Sequence, residues 1–272
     1  METMRRTLIA GNWKMNLLRD EAYALMGGIL QETAAHSGVD ILICPPSVYL
    51  EIAVQMMKNA PLFVGAQNLF HENSGPFTGE ISAAMLQTIG CSHVIVGHSE
   101  RRTLFHEHNP EINRKVRACL DCGMIPILCI GETLEQRNSG AAFETLIEQL
   151  TYGLQGIDGS SVRDMVIAYE PVWAIGTGVS AESSQVEEVH RFIRETIAKF
   201  TDGESSQAIR IIYGGSVNPA NAQELLSCPN VDGALIGGAS LKLDSFCGIV
   251  RAADSHIKQS VAISEGSPGL RG

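Results

Sequence analysis

The sequence predicts an α/β protein built as a single (β/α)8 barrel with parallel strands, and three observations carry that reading. Eight short runs rich in Val, Ile, Leu or Cys recur along 272 residues. Longer amphipathic stretches separate them, the signature of strands alternating with helices. Their mean spacing of roughly 32 residues suits one βα unit each. An open doubly wound sheet would be expected to carry a glycine-rich dinucleotide fingerprint after its first strand, and none follows this one. Sequence repeats are absent, so the repetition is architectural and not solenoidal.

The strands are expected to begin near Leu8, Val39, Leu62, His93, Ile125, Met165, Ile209 and Gly233. The segments between them read as helices over 20–36, 47–60, 81–90, 110–122, 132–154, 181–200, 219–228 and 240–253. Ser180 is placed to cap the sixth of these, and Pro110 and Pro219 suit first-turn positions. The barrel domain is expected to span residues 1–254. From about Ser255 the apolar pattern stops, and 260–272 is rich in Ser and Gly, so 255–272 reads as a disordered C-terminal tail.

Composition narrows the function. A 44% hydrophobic content with 18% charged residues excludes a disordered polyelectrolyte. The formal charge of −10 argues against general attraction to nucleic acid or membranes, but leaves room for local anion sites. The seven cysteines are scattered without paired short spacings, so neither a disulfide framework nor a metal site is expected, and reduced thiols imply a cytoplasmic location. No apolar run has the length of a signal-peptide core or a membrane span.

In such a barrel, chemistry belongs at the carboxyl ends of the strands, where the loops converge on one mouth. The unusual polar residues fall there. After strand one come Gly11-Asn12-Trp13-Lys14, and after strand four Gly97-His98-Ser99-Glu100-Arg101-Arg102. Tyr169-Glu170-Pro171-Val172-Trp173 follows strand six, Gly214-Gly215-Ser216-Val217 strand seven, and Gly237-Gly238-Ala239-Ser240 strand eight. Taken singly, each has a plainer reading: Lys14 a solvated charge, Glu170 a loop residue, His98 and His93 structural histidines, the glycine pairs mere turns. Their joint placement on one rim favours a site.

These segments, with Ala10-Gly11-Asn12-Trp13-Lys14-Met15-Asn16 the first of them, resemble the triosephosphate isomerase family from about Leu8 to Ala252. The resemblance implies a TIM barrel and an aldose-ketose isomerase, an intramolecular oxidoreductase. Its reaction interconverts dihydroxyacetone phosphate and D-glyceraldehyde 3-phosphate through an enediolate, in glycolysis and gluconeogenesis, with neither cofactor nor metal. It further implies Glu170 as the catalytic base and His98 as a neutral electrophile at a helix start. Lys14 and Asn12 fall on the substrate oxygens, and Glu100 is a further catalytic residue that pairs with Lys14 or holds nearby backbone. Arg101 and Arg102 read as structural. The phosphate is expected on backbone N–H groups of Gly176, Ser216, Gly237 and Gly238, with Lys14 the one full positive charge. A carboxylate near its reference pKa of ~4.3 is a weak base, and desolvation under a lid would raise it.

Pro171, Val172, Trp173, Ala174, Ile175, Gly176, Thr177 and Gly178 resemble that mobile lid. Its far end departs from the usual family pattern, reading Val179-Ser180-Ala181 where Lys-Thr-Ala is common. Residues 65–79 form a long connection resembling a loop that inserts into a second subunit. The resemblance therefore implies a homodimer, with Thr78 reaching the neighbour's Asn12 and Lys14 region; Pro76 replaces a smaller residue there. Cys129, before Ile130-Gly131-Glu132, reads best as a buried small hydrophobe. Two rivals stand beside this reading: a related isomerase of a four-carbon sugar phosphate, and a catalytically dead barrel serving as a binding module, scaffold or adhesin.

Overall fold

The strands close on themselves. In the computed structural model, which describes residues 5–36, 38–174 and 181–265 with side chains to residue 258, eight parallel strands hydrogen-bond in sequence order, and the first pairs with the last. In chain order the elements are β1 (Leu8–Asn12), α1 (Arg19–Thr33), β2 (Asp40–Cys44), α2 (Leu50–Met57), β3 (Leu62–Ala66), α3 (Ala83–Ile89) and β4 (His93–Val96). There follow α4 (Ser99–Leu104), α5 (Asn109–Asp121), β5 (Ile125–Ile130), α6 (Leu134–Asn138), α7 (Ala142–Gly153), α8 (Gly159–Arg163) and β6 (Val166–Tyr169). The chain ends with α9 (Ser183–Phe200), α10 (Gly203–Ala208), β7 (Arg210–Tyr213), α11 (Ala222–Leu226), β8 (Gly233–Ile236) and α12 (Leu243–Glu265).

The strands read as unbroken apolar runs because both of their faces are buried. Leu8, Ala10, Leu42, Ile95, Ile127 and Leu235 fill the barrel interior, while Ile9, Ile41, Val64, Val94 and Ile211 face the helices. Helix α9 shows the complementary pattern, burying Val186, Val189, Ile193 and Ile197 at three- and four-residue intervals. At the seam Leu8 lies opposite Gly233, and a Cβ there would fall 1.9 Å from the Leu8 carbonyl oxygen, so glycine is what lets the barrel close.

Helix boundaries hold the differences from expectation. The predicted 132–154 helix is two helices, α6 and α7, because Gly140 takes φ +80 between them. Pro110 does sit in the first turn of α5, but Pro219 precedes α11 by a turn that Asn218 organises, its Oδ1 accepting from the Ala220 and Asn221 N–H groups. Helix α9 starts after Glu182, whereas the expected cap Ser180 lies outside the described residues.

The largest difference is at the C-terminus, where α12 runs to Glu265 and so crosses the expected boundary at 254. The physical reason is Asp254, 2% exposed, whose Oδ2 lies 2.9 Å from His36 Nδ1 and 2.7 Å from Lys258 Nζ. The i,i+4 pair with Lys258 and the tie to the end of α1 carry the helix onward where the apolar pattern fades. Residues 266–272 lie outside the described residues.

Candidate active site

The carboxyl ends of β1, β4, β6, β7 and β8 surround a cavity of ≈ 390 Å³. Asn12, Lys14, His98 and Glu170 line one side of it, and Gly214, Gly215, Ser216, Gly237 and Gly238 contribute the rest of the wall. Of the expected site residues, these eight therefore meet: Asn12, Lys14, His98, Glu170, Ser216, Gly237 and Gly238 directly, and Glu100 through its bond to Lys14. Ile175, Gly176, Thr177 and Gly178 lie outside the described residues.

Glu170 is 2% exposed and fully bonded. Its Oε2 accepts from the Ser99 N–H at 2.9 Å, and its Oε1 lies 2.9 Å from His98 Nε2. Burial alone would raise its pKa, but the imidazole and its hydrogen bond, the Ser99 amide and Lys14 outweigh that and hold the carboxyl below its ordinary range. Burial likewise disfavours a charged His98, and the Glu170 carboxylate overrides it, so the imidazole titrates above its ordinary value. The sequence places a raised carboxylate under a closed lid, beside a neutral imidazole; in the pair as it stands here the contact shifts both groups the other way, because opposite charges at this distance stabilise one another. His98 also caps α4, its Nδ1 accepting from the Glu100 N–H at 3.2 Å. A neutral ring with its lone pair on Nδ1 carries its proton on Nε2, the nitrogen that faces the cavity.

Lys14 occupies the left-handed region, φ +51, at the end of β1. Its N–H donates to Asn12 Oδ1 at 3.0 Å, which turns the chain, and Gln67 Nε2 donates to its carbonyl at 2.8 Å. Its ammonium meets Glu100 Oε1 at 2.6 Å. A non-glycine residue held in this conformation by two side chains is strain maintained to aim a functional group. The positioning roles of Gln67 and Ser99 were not foreseen. Both act across strands, and a polar residue's cross-strand partner leaves no mark in sequence spacing. Lys242, which also lines the cavity, was missed because it stands beyond the glycine turn, so Lys14 is not the one cation present.

The described start of the segment that resembles a lid, residues 171–174, is held at several points. Val172–Ala174 form a 310 turn, and the Val172 N–H donates to the Glu132 carbonyl at 3.1 Å. The buried Glu132 carboxylate accepts from Trp173 Nε1 at 2.9 Å, Tyr169 Oη at 3.1 Å and Arg137 Nη1 at 3.1 Å. Arg137 lies over the Trp173 ring, 4.8 Å from its centroid. Arg101 pairs with Glu107, and Arg102 donates to the carbonyls of Gly97 and Cys129, so both arginines serve structure. His93 has Nδ1 bonded to Ser92 Oγ at 2.8 Å, and burial pushes its pKa down to about 3. Cys129 is fully buried in the barrel interior.

Gly131 lies against the backbone of Glu170. A Cβ on Gly131 would fall 1.7 Å from the Glu170 carbonyl oxygen, a contact that only a backbone shift relieves. Gly131→Ala is therefore expected to lower kcat by about 10²-fold through misplacement of the carboxylate, in a variant whose circular dichroism stays native. A folded variant with parental kcat would show that this contact does not position Glu170.

A parallel barrel with a carboxylate, an imidazole and a lysine at its carboxyl mouth, facing two glycine turns, has the architecture of a barrel enzyme whose site lies at the strand ends. The triosephosphate isomerase family profile matches residues 7–253. A triosephosphate isomerase of Rhodopirellula baltica is 49% identical over 251 residues, covering 92% of this chain and 99% of the relative; one from Dictyoglomus turgidum is 47% identical over 249 residues, covering 92% and 100%. The crystal structure of triosephosphate isomerase from Bartonella henselae superposes with a TM-score of 0.82 at 40% identity, covering 91% of this chain and 98% of that one. The chain belongs to the triosephosphate isomerase family.

Proposed function

We propose that the protein interconverts dihydroxyacetone phosphate and D-glyceraldehyde 3-phosphate, the step that glycolysis and gluconeogenesis share, with Glu170 as the base. The observation that carries this assignment of roles is the meeting of Glu170 and His98, from two different strands, on one wall of the cavity. A carbon acid beside a carbonyl needs a base at carbon and hydrogen-bond donors at oxygen, because charge moves onto oxygen as the proton leaves. Glu170 first leaves the Ser99 amide and His98 and takes a proton from one carbon. His98 Nε2–H and the Lys14 ammonium then face the oxygens where negative charge develops. A proton passes from the hydroxyl oxygen to the former carbonyl oxygen, and the protonated Glu170 returns its proton to the adjacent carbon, restoring the carboxylate.

The contact with His98 that depresses the Glu170 pKa ends in that movement. Desolvation then dominates and raises the pKa, yielding a stronger base. The same movement removes the carboxylate that favours an imidazolium, and burial together with the Glu100 N–H on Nδ1 leaves His98 a neutral donor. The phosphate lies against the N–H groups of Ser216, Gly237 and Gly238, with Gly176 of the lid, and Pro171–Gly178 close over the bound skeleton to exclude water.

The functional unit is a homodimer. Met15 (94% exposed) and Phe105 line a second cavity of ≈ 490 Å³ together with Lys14, Gln67 and Glu100, and Leu18 and Val48 are also exposed. The 65–79 connection, exposed over 72–79 including Thr78, is the segment we assign to that cavity in a partner. Sedimentation equilibrium is expected to return twice the chain mass. Free thiols at all seven cysteines support a reducing, cytoplasmic compartment, and no described helix is long and apolar enough to cross a membrane.

A coupled assay with glyceraldehyde 3-phosphate beside a four-carbon aldose phosphate tests the reading. Turnover of the triose at much higher kcat/KM is the expected outcome. Preference for the larger sugar would move the substrate to the rival isomerase, and no turnover of either would leave a binding module.

A further inference from the structure

The cavity holds a cation for which proton transfer has no use. Lys242 follows the 310 turn Gly238–Leu241 and lines the cavity with Ser245, beside Gly237, Gly238 and Ala239. Its backbone is fixed at both ends: its N–H donates to the Ala239 carbonyl at 3.4 Å, and its carbonyl accepts from the Phe246 N–H at 2.9 Å in the first turn of α12. The side chain is exposed and forms no ion pair with a described residue. It stands at the glycine-turn end of the cavity, whereas Glu170 and His98 occupy the wall built by β6 and β4.

Charge at the mouth shows what such a residue does. Lys14 is bonded to Glu100 at 2.6 Å, and Glu170 adds a second carboxylate. The charge of Lys14 is thus offset by Glu100, and that of Glu170 is engaged by its contact with His98, on a protein whose formal charge is −10. Lys242 sets a positive charge, unpaired among the described residues, on the side where the glycine amides stand. Asp244, the neighbouring acid, does not line the cavity.

We propose that Lys242 is the cation that draws the phosphate dianion into the cavity and holds it there, and so determines the preference for phosphorylated over unphosphorylated substrates. The inference rests on the phosphate seat proposed above. A single exposed charge acts within about 8–10 Å at ordinary salt, which matches a role at the outer end of one cavity. Its contribution belongs to capture and retention, which enter kcat/KM, and is carried by rate of encounter and by ionic-strength dependence.

The test compares the parent with Lys242→Gln and Lys242→Arg. Steady-state constants are measured for glyceraldehyde 3-phosphate and for D-glyceraldehyde, which lacks the phosphate, between about 10 and about 200 mM salt. At low salt Lys242→Gln is expected to lower kcat/KM for the phosphorylated substrate by about 10-fold, mostly through KM. The ratio of kcat/KM between the two substrates falls with it, the salt dependence flattens, and inorganic phosphate becomes a correspondingly weaker competitive inhibitor. Lys242→Arg restores most of the loss. An equal fall for both substrates would assign Lys242 a structural role, and an unchanged ratio would remove it from phosphate recognition; either overturns the inference.

Gly238→Val separates this inference from the phosphate seat. No atom lies within 4 Å of a Cβ added at Gly238, so a side chain there starts into open space. If the valine weakens inhibition by inorganic phosphate and Lys242→Gln does not, the seat stands and the lysine inference falls. If Gly238→Val leaves phosphate inhibition untouched, the seat itself is misplaced.

Discussion

Glu170→Asp is expected to lower kcat by about 10²-fold or more, with a much smaller change in KM. The backbone at this position cannot follow a shortened side chain. The Glu170 N–H donates to the Ile130 carbonyl at 2.8 Å, the Gly214 N–H to the Tyr169 carbonyl at 2.7 Å, and Gly131 abuts the Glu170 carbonyl from the next strand. Removing one methylene therefore withdraws the carboxylate from the reacting carbon by more than 1 Å, roughly the displacement that costs 10²-fold in rate. Substrate binding, proposed above for the glycine turns and lysines, is expected to be largely retained, so the loss falls on kcat. Unaltered turnover would rule out Glu170 as the base.

The same pair sets a pH signature for the free protein. Glu170 titrates below its ordinary value, so its contribution to stability is present above the unfolded carboxylate pKa of ~4.3 and is lost as pH falls through the depressed folded value. His98 titrates above its ordinary value, so its contribution is complete below ~6.5 and is lost as pH rises through the raised one. The stabilising contact thus operates between the two limits. Urea midpoints of the parent and Glu170→Gln are expected to differ most in that window and to converge on either side of it.

The largest effect on stability is expected at the opposite end of the barrel. Arg194 of α9 is 4% exposed and donates Nη2 to Asp232 Oδ2 at 2.6 Å, Nε to Asn230 Oδ1 at 2.9 Å, and Nη1 to the carbonyls of Ser206 and Ile209. Asp232 also accepts from Arg5 Nε at 2.6 Å and from the Ile211 N–H at 2.8 Å. One carboxylate thus joins the start of the chain, α9, β7 and the approach to β8. Asp232→Ala leaves a buried guanidinium without its counter-charge, and such losses cost about 3–5 kcal/mol. The expected result is a lowered urea midpoint at unchanged m-value, with native kcat at low temperature. A midpoint shift equivalent to less than about 1 kcal/mol would show that Arg194 finds solvent or another partner.

The eight strands were legible because each is buried on both faces and therefore apolar throughout. The expected starts at Leu8, Leu62, His93, Ile125 and Gly233 coincide with the observed ones, and those at Val39, Met165 and Ile209 fall one residue early. Helix ends were less legible. Gly140 divides a segment whose apolar residues continue on both sides, and Asp254 extends α12 through partners at His36 and Lys258, one of them 218 residues away in sequence.

The sequence by itself determined the barrel and the side chains brought to its mouth, because burial periodicity and the chemistry of a residue are local properties. Tertiary structure alone decided how those side chains are held. Glu170 rests on the Ser99 amide and His98, Gln67 fixes Lys14 in a left-handed turn, Gly131 leaves room for the Glu170 carbonyl, and Lys242 joins the glycine-turn side of the cavity. Each of these contacts links chain ends of different strands, and their distances and the pKa shifts they cause exist only once the barrel has closed.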